Sequence, residues 1–310
     1  MKIAFLNKYQ EKVYRGSETF VYELSKRLSK NNQVDVIANV NYLDLYRKKY
    51  DIIIPTNGRW QAIVVRKIAY LSGAKVVIAG QSGVGFDDRI NLYTFPHAFV
   101  ALSTKAFNWA KKTNPFVKAF YIPNGVDLNK FKPGGKKFET KLKSPIVLAV
   151  GAFTEQKRLN LAIEAVAKLK NVSLLVVGGG GILKKQLEIQ GREMLGDRFE
   201  IITLPFDKMP AVYRSADVFT LPSTTSESFG NVLVEAMASG LPVVASADPI
   251  RKEIVGEAGI LVELTNTDIY AKALNETLSM KWDDKPRRQA LKFNWDKIAI
   301  EYEELFKKLL

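Results

Sequence analysis

Two carboxylates separated by seven residues, Glu227 and Glu235, bracket the point where a polar loop, Ser226-Glu227-Ser228, gives way to an apolar stretch, Val232-Leu233-Val234. Such a junction reads as a helix start. The backbone N–H groups around Phe229, Gly230 and Asn231 would lack intrahelical acceptors and carry partial positive charge, the makings of a phosphate site. Glu235 falls about two turns into the helix, among Val234, Ala236 and Met237. A carboxylate buried there needs polar partners. Ligand hydroxyls suit it, because an ionised carboxylate only accepts hydrogen bonds. The competing reading has Glu227 capping the helix and Glu235 reaching water.

Other positions that bear chemistry are few. Gly80-Gln81-Ser82-Gly83 follows an apolar run. Gln81 and Ser82 are candidates for a sugar or acceptor contact, although Gln81 cannot serve as a base; an ordinary strand-end turn is the alternative. Gly178-Gly179-Gly180-Gly181 lies between a strand pattern and a helix pattern, but Leu183 takes the last glycine place of G-x-G-x-x-G. The run therefore reads as backbone passing close to a ligand rather than as a dinucleotide site. His97 is the single histidine and there is no cysteine, so no zinc site is expected. No Asp-x-Asp element suggests Mg²⁺ or Mn²⁺, and the pairs Asp87-Asp88 and Asp283-Asp284 read as solvated. Neither a metal nor a resident cofactor is expected.

The elements that must position these groups follow a β-α-β-α rhythm. Short, partly β-branched apolar runs at 3–6, 34–38, 52–54, 76–79, 99–102 and 119–122 read as buried strands. Between several lie helical patterns, clearest over 17–29, where Phe20, Val21, Leu24 and Leu28 share a face. Pro123-Asn124-Gly125 and the polar stretch 130–143 break the rhythm and mark a boundary. A second rhythm puts strands at 146–150, 173–177, 199–203, 218–221, 243–245 and 260–262. Its helices fall near 159–169, 183–190, 209–214, 232–239 and 268–279. Alternation of this kind implies parallel sheets covered by helices, that is, two tandem doubly wound α/β domains. Open parallel sheets bind ligands at the carboxyl ends of their strands.

Composition limits the remaining choices. The 310 residues suit two domains, with 47% hydrophobic and 25% charged residues as in an ordinary globular protein. The lack of cysteine suits a reducing, cytoplasmic setting. No signal peptide is expected from the short apolar start, and no run reaches the ~18 apolar residues of a membrane span. Residues 1–125 carry 19 Lys and Arg against 8 Asp and Glu, a net +11, while the remainder carries +3 of the total +14. That asymmetry points to an anionic partner for the first half. Lys48, Lys49, Arg66, Lys67, Lys105, Lys111, Lys112 and Lys118 are interleaved with Tyr46, Phe107, Trp109 and Phe116, a mixture that suits an anionic membrane surface. Buried aromatics among dispersed lysines are the alternative.

Residues 226–245 resemble the donor-site signature of glycosyltransferase family 4, a Glu-x7-Glu element followed by an apolar strand. Other parts of that pattern occur in order. Gly16-Ser17-Glu18, after Arg15, is similar to the glycine-rich turn that follows the first strand. Residues 122–127, 150–158 and 216–223 resemble the end of the first domain, the first loop of the second domain, and the strand leading into the donor loop. Phe293-Asn294-Trp295 and the helix to Leu310 resemble the terminal segment that crosses back to the first domain. The resemblance implies the GT-B fold, two Rossmann-like domains facing a central cleft. Residues 1–125 would form the acceptor domain, 126–290 the donor domain and 291–310 the returning helix.

The resemblance also implies roles. The protein would be a retaining glycosyltransferase, of the glycogen-synthase-like and mannosyltransferase-like group, using a UDP- or GDP-linked sugar without metal. Glu227 and Lys157 are the implied catalytic residues. Gly16, Lys157, Arg158, Glu227, Phe229, Gly230, Asn231 and Glu235 are the implied donor-binding set. A cation at Lys157 would stabilise the charge that develops on the leaving phosphate. The family pairs this lysine with an arginine, whose place here holds Ala152; Arg158 is the only neighbour able to compensate. Many relatives carry a histidine near Gly80 and Gln81, which this chain lacks. The acceptor stays open between a glycan and a lipid-linked hydroxyl, with a peripheral position at the inner membrane face and no nucleic-acid partner. Two other classes stay open on the residues alone: a nucleotide-sugar epimerase of the same fold, and a basic lipid or nucleic-acid surface-binding module.

Overall fold

The computed structural model describes residues 1–10 and 16–310. The chain forms two compact units, residues Met1–Gly125 with Asn294–Leu310, and residues Val126–Phe293. Arg15, named above beside the glycine-rich turn, lies outside the described residues.

The first unit contains β1 (Lys2–Leu6), α1 (Gly16–Leu28), β2 (Gln33–Ile37), α2 (Tyr42–Arg47), β3 (Ile52–Pro55), α3 (Arg59–Ser72), β4 (Lys75–Ala79), α4 (Phe86–Tyr93), β5 (Ala98–Ala101), α5 (Thr104–Thr113) and β6 (Ala119–Tyr121). Its strands pair in parallel in the order β2-β1-β3-β4-β5-β6. Period-two alternation divides the sheet between two cores. Ile3 and Phe5 pack with Phe20, Val21 and Leu24 of α1, whereas Ala4 and Leu6 join Leu45, Ala62, Val65 and Leu92 on the opposite face. Both faces are covered, so the strands read as unbroken apolar runs.

The second unit contains β7 (Ile146–Val150), α6 (Leu159–Ala167), β8 (Ser173–Val177), α7 (Lys184–Leu195), β9 (Phe199–Ile202), α8 (Met209–Arg214), β10 (Val218–Leu221), α9 (Asn231–Ala238), β11 (Val243–Ser246), α10 (Pro249–Val255), β12 (Gly259–Val262), α11 (Thr267–Ser279) and α12 (Lys285–Ala290). The parallel sheet runs β12-β11-β10-β7-β8-β9. The chain order reverses between β7 and β10, and a crevice opens at such a switch point, outside the carboxyl ends of the two strands. Those ends lead directly into residues 151–158 and 222–230.

The last helix, α13 (Trp295–Leu309), belongs to the first unit. Trp295, Ile298, Ala299, Tyr302, Leu305 and Phe306 recur at three- and four-residue spacing and are buried, one stripe of an amphipathic helix. Phe20 of α1 meets the rings of Trp295 and Tyr302 at 6.2 and 5.7 Å between centroids. Residues 291–293, grouped with this helix in the sequence reading, form a separate turn in the second unit. Phe293 stands edge-on to Phe229 at 5.7 Å, and its carbonyl accepts the Val126 amide at 2.7 Å.

Both units are thus doubly wound α/β sheets of Rossmann type. The second rhythm of strands and helices matches the structure to within a few residues, and 146–150, 173–177 and 218–221 coincide with β7, β8 and β10.

Candidate functional site

The loop after β7 and the loop after β10 are tied together at the switch point. The Thr224 amide donates to the Gln156 carbonyl at 2.9 Å. The Lys157 ammonium pairs with the Glu227 carboxylate, with both side chains about one-fifth exposed. Arg158 adopts a left-handed backbone (φ 46°) between a short 3₁₀ turn, Glu155–Lys157, and α6. Its guanidinium donates to the carbonyls of Pro222 at 2.7 Å and Ser223 at 3.1 Å, and to Ser246 Oγ at 3.4 Å. Arg158 therefore holds the chain leaving β10. It does not stand beside Lys157 as the second cation that Ala152 removed.

The glycine run packs against the chain's own loop. A Cβ at Gly178 would lie 1.9 Å from the Gly151 carbonyl oxygen, and one at Gly181 would lie 2.2 Å from that of Phe153. The Phe153 amide donates to the Gly180 carbonyl, and the Phe153 carbonyl accepts from the Leu183 amide. The close approach is thus between this run and the loop bearing Lys157. Gly181, at φ +92°, also needs a conformation that side chains disfavour.

Past Glu227, Gly230 takes the N-cap position of α9 with φ +89°. Phe229 is buried against Phe293, so its ring anchors the loop and only its backbone can face a ligand. Asn231 begins α9 and is half-buried. Glu235 is 6% exposed and accepts a hydrogen bond from the Tyr213 hydroxyl of α8 at 2.8 Å. Burial and the Glu235 charge raise the Tyr213 phenol well above its ordinary value, so it stays a donor. The reading in which Glu235 reaches water does not hold.

Arg251 of α10, which the sequence reading missed, is fully buried. It donates to Ser223 Oγ at 2.8 Å and the Thr224 carbonyl at 2.9 Å, lies 3.4 Å from the Glu227 carbonyl and pairs with Asp248 at 3.0 Å. A buried guanidinium needs such a set of partners, and this set holds the loop bearing Glu227 from beneath. Tyr213 was missed because its pattern is that of an ordinary core residue, whereas Ser223 stood in the 216–223 segment without a role of its own.

In the first unit, Gln81 and Ser82 line a polar pocket at the carboxyl ends of β3 and β4, together with Thr56, Asn57, Arg59 and Asp88. Gln81 and Asn124 exchange amide hydrogen bonds at 3.2 and 3.0 Å. The pair Asp87-Asp88 is not simply solvated. Asp87 pairs with Arg59 at the surface, but Asp88 is only 2% exposed because it faces inward from α4. Burial pushes its carboxyl up to about 7; Asp87 adds to the rise, while Asn91 and the Ser82 and Gly83 amides pull the other way. Gly16, Ser17 and Glu18 form the first turn of α1 rather than a turn before it. Gly16 is exposed, and Glu18 is buried with its Oε1 accepting from Ser17 at 2.9 Å. His97 Nδ1 accepts the Val76 amide at 2.9 Å. Burial, Arg66 and Lys75 lower it to about 4, so it is neutral at pH 7. Among the described residues no three His, Asp or Glu side chains come together as a metal cluster.

The comparisons with known proteins agree with this architecture. Residues 135–294 match the family described as "Glycosyl transferases group 1". A D-inositol 3-phosphate glycosyltransferase of Mycobacteroides abscessus is 34% identical over 191 residues, 56% of this chain and 43% of that protein. A phosphatidyl-myo-inositol mannosyltransferase of Mycobacterium tuberculosis is 31% identical over 199 residues, 59% of this chain and 52% of that protein. The matches thus span about half the length of these curated relatives. Among solved structures, Anabaena HepE in complex with UDP and glucose superposes with a TM-score of 0.82 at 18% identity, covering 99% of both chains. WaaG, a glycosyltransferase involved in lipopolysaccharide biosynthesis, superposes with a TM-score of 0.75 at 16% identity, covering 98% of this chain and 99% of that one. These likenesses establish the GT-B fold.

Proposed function

The chain belongs to the group 1 glycosyl transferases, and from that premise we propose that it moves a sugar from a nucleoside-diphosphate sugar to an acceptor hydroxyl, with retention at the anomeric carbon. The observation that carries the reading is the gathering of Lys157, Glu227 and the start of α9 at the β7/β10 switch point. Crystal structures of the structural neighbour HepE hold UDP-glucose, or UDP and glucose.

In this reading the diphosphate lies at the start of α9, where backbone N–H groups and the helix dipole favour negative charge. Lys157 turns from Glu227 to the phosphate. The bond between the anomeric carbon and the phosphate oxygen breaks as the acceptor oxygen bonds to that carbon on the same face. The acceptor proton passes to the leaving phosphate, whose charge Lys157 stabilises. Glu227, released from Lys157, orients the transferred sugar. Glu235, with Tyr213 holding one oxygen, accepts from the nucleoside hydroxyls. Arg158 and Arg251 act as positioning residues. Gly16, at the start of α1, is the donor-binding position proposed in the first unit. Residues 1–125 take the acceptor and 126–290 the donor.

A thermal-shift panel of UDP, GDP and their sugars tests the donor reading, because a ligand of the folded state raises its stability. Failure of every nucleotide to shift the transition would overturn it. The reaction needs no metal in this reading, so saturating chelator leaves transfer intact; loss restored by Mg²⁺ or Mn²⁺ would refute that part. NMR of the product's anomeric proton reads retention directly.

On the acceptor side, we propose reversible docking of the first unit on anionic lipid and a lipid-linked acceptor. Arg66, Lys67, Tyr70, Leu71 and Phe95 line one shallow groove, and Phe116 is 87% exposed. Phe107 and Trp109 instead pack partly against the core, which narrows the aromatic set proposed from sequence. No helix among the described residues is long and apolar enough to cross a membrane. Sedimentation with vesicles tests the docking: binding should rise with anionic lipid and fall with salt.

A further inference from the structure

We propose that the pocket at the carboxyl ends of β3 and β4 is a hydroxyl-recognition subsite in which Asp88 orients a neutral polyol group of the acceptor and excludes a phosphate. The inference rests on the transferase reading above and adds the chemical class of the group this pocket admits. Its first support is the state of the Asp88 carboxyl. Oδ1 accepts from Asn91 Nδ2 at 3.0 Å, while Oδ2 is buried and, although the Ser82 and Gly83 amides act on the carboxyl, meets no donor in good hydrogen-bond geometry among the described residues. Buried polar atoms in native proteins are nearly always partnered, so an orphan carboxylate oxygen beside a pocket marks where a ligand donor or an ordered water belongs.

The neighbouring residues fix that oxygen in place. Asn91 accepts the Arg59 amide at 2.9 Å through its Oδ1, so its Nδ2 must face Asp88. A Cβ at Gly80 would lie 2.6 Å from the Phe99 ring and 3.1 Å from Asp88 Oδ2, so no side chain fits there without displacing both. Size and charge then choose the ligand. The cavity measures about 90 Å³, roughly three water molecules at their share of liquid volume. That admits a hydroxymethyl group or one edge of a sugar or cyclitol ring. Arg59, the one basic side chain among the lining residues, has its guanidinium on Asp87. With that cation neutralised and Asp88 facing inward, a phosphate would meet carboxylate, whereas a hydroxyl would donate to Oδ2.

The test uses saturation-transfer NMR on the full chain with myo-inositol and methyl α-D-mannoside as neutral probes, and with myo-inositol 1-phosphate and mannose 6-phosphate as anionic ones. Asp88→Asn and Asp88→Ala are compared with the parent protein. UDP and GDP thermal shifts on each variant report separately on the donor reading and on folding. The expected result is binding of a neutral probe that weakens about tenfold or more in both variants, with nucleotide shifts unchanged. The proposal is overturned if no neutral probe binds the parent, if the variants bind it equally, or if a phosphate probe binds more tightly than its neutral counterpart. Absent nucleotide shifts with Asp88-dependent polyol binding would sink the donor reading and leave the pocket standing.

Discussion

The loops after β7 and β10 and the loops after β3 and β4 lie at equivalent places, each at the carboxyl edge of a six-stranded parallel sheet. They hold charge in opposite ways. In the second unit the charged groups of the site meet one another or a hydroxyl: Lys157 meets Glu227, Arg251 meets Asp248 while its Nε is left without a hydrogen-bonding partner among the described residues, and Glu235 meets Tyr213. In the first, Asp88 keeps a buried oxygen with no partner among the described residues. Paired charges that must exchange partners on binding suit a strongly charged ligand such as a diphosphate. An unpaired acceptor in a small cavity suits a neutral group that brings one hydrogen. The difference suggests that the two sheet edges are specialised by the pairing of their polar groups rather than by fold, since the folds are alike.

The largest expected effect sharpens that contrast through pH. In the folded chain the Asp88 carboxyl sits at about 7, against ~3.9 when unfolded. The folded state therefore binds the extra proton between those values. The contribution of this group to stability is complete below about pH 4 and is lost as pH rises through about 7. Asp88→Asn removes the loss and should be the more stable protein at pH 8, by up to about 4 kcal/mol, with the gap narrowing by roughly 2–3 kcal/mol at pH 5. Denaturant titrations at the two pH values check it. An Asp88→Asn protein less stable than the parent at pH 8 would mean that the carboxylate has a structural partner.

Slightly smaller in energy is the effect of Lys157→Ala, which should lower kcat by about 10²–10³-fold, the usual effect of removing one donor aimed at developing charge. Steady-state donor turnover reads it. Glu227→Gln should lose turnover while nucleoside-diphosphate affinity holds or rises, because Lys157 is then released from its ion pair; a parallel loss of both would place Glu227 on the nucleotide instead. Tyr213→Phe should cost about 1–3 kcal/mol in stability by withdrawing a hydrogen bond from a buried carboxylate. The expected sign is opposite to that of Asp88→Asn, so equal signs would break the comparison. Smallest is the surface: Arg66→Ser or Lys67→Ser should each weaken binding to anionic vesicles by about 1 kcal/mol, less at high salt.

Much of the architecture was legible because burial on both faces leaves a direct trace. The runs Ile146–Val150 and Ser173–Val177 are mostly apolar without alternation and are two of the strands covered on both sides. Helices with weak stripes were harder. Pro249–Val255 and Lys285–Ala290 are short, carry arginine and lysine, and have little periodicity to read. The Glu227–Glu235 spacing was visible for a similar reason, since both residues lie on one local element whose geometry repeats along the chain.

The site's support was not legible, because it depends on residues far apart in sequence. Arg251 looks like any surface arginine near a helix start, yet it is buried under a loop more than twenty residues earlier. Asp88 follows Asp87 directly; on a helix, neighbouring residues point about 100° apart, so one reaches solvent and the other the interior. The glycines at 178 and 181 advertise close approach without saying to what, and the partner proved to be the chain's own loop at 151–153. By itself the sequence determined the alternation of strands and helices, the loop in which Lys157 falls and the helix start beside Glu227, because these follow from local periodicity and backbone chemistry. Only the tertiary structure decided which of the charged groups found partners, because burial and hydrogen bonding are set by chain segments that come together after the local elements form.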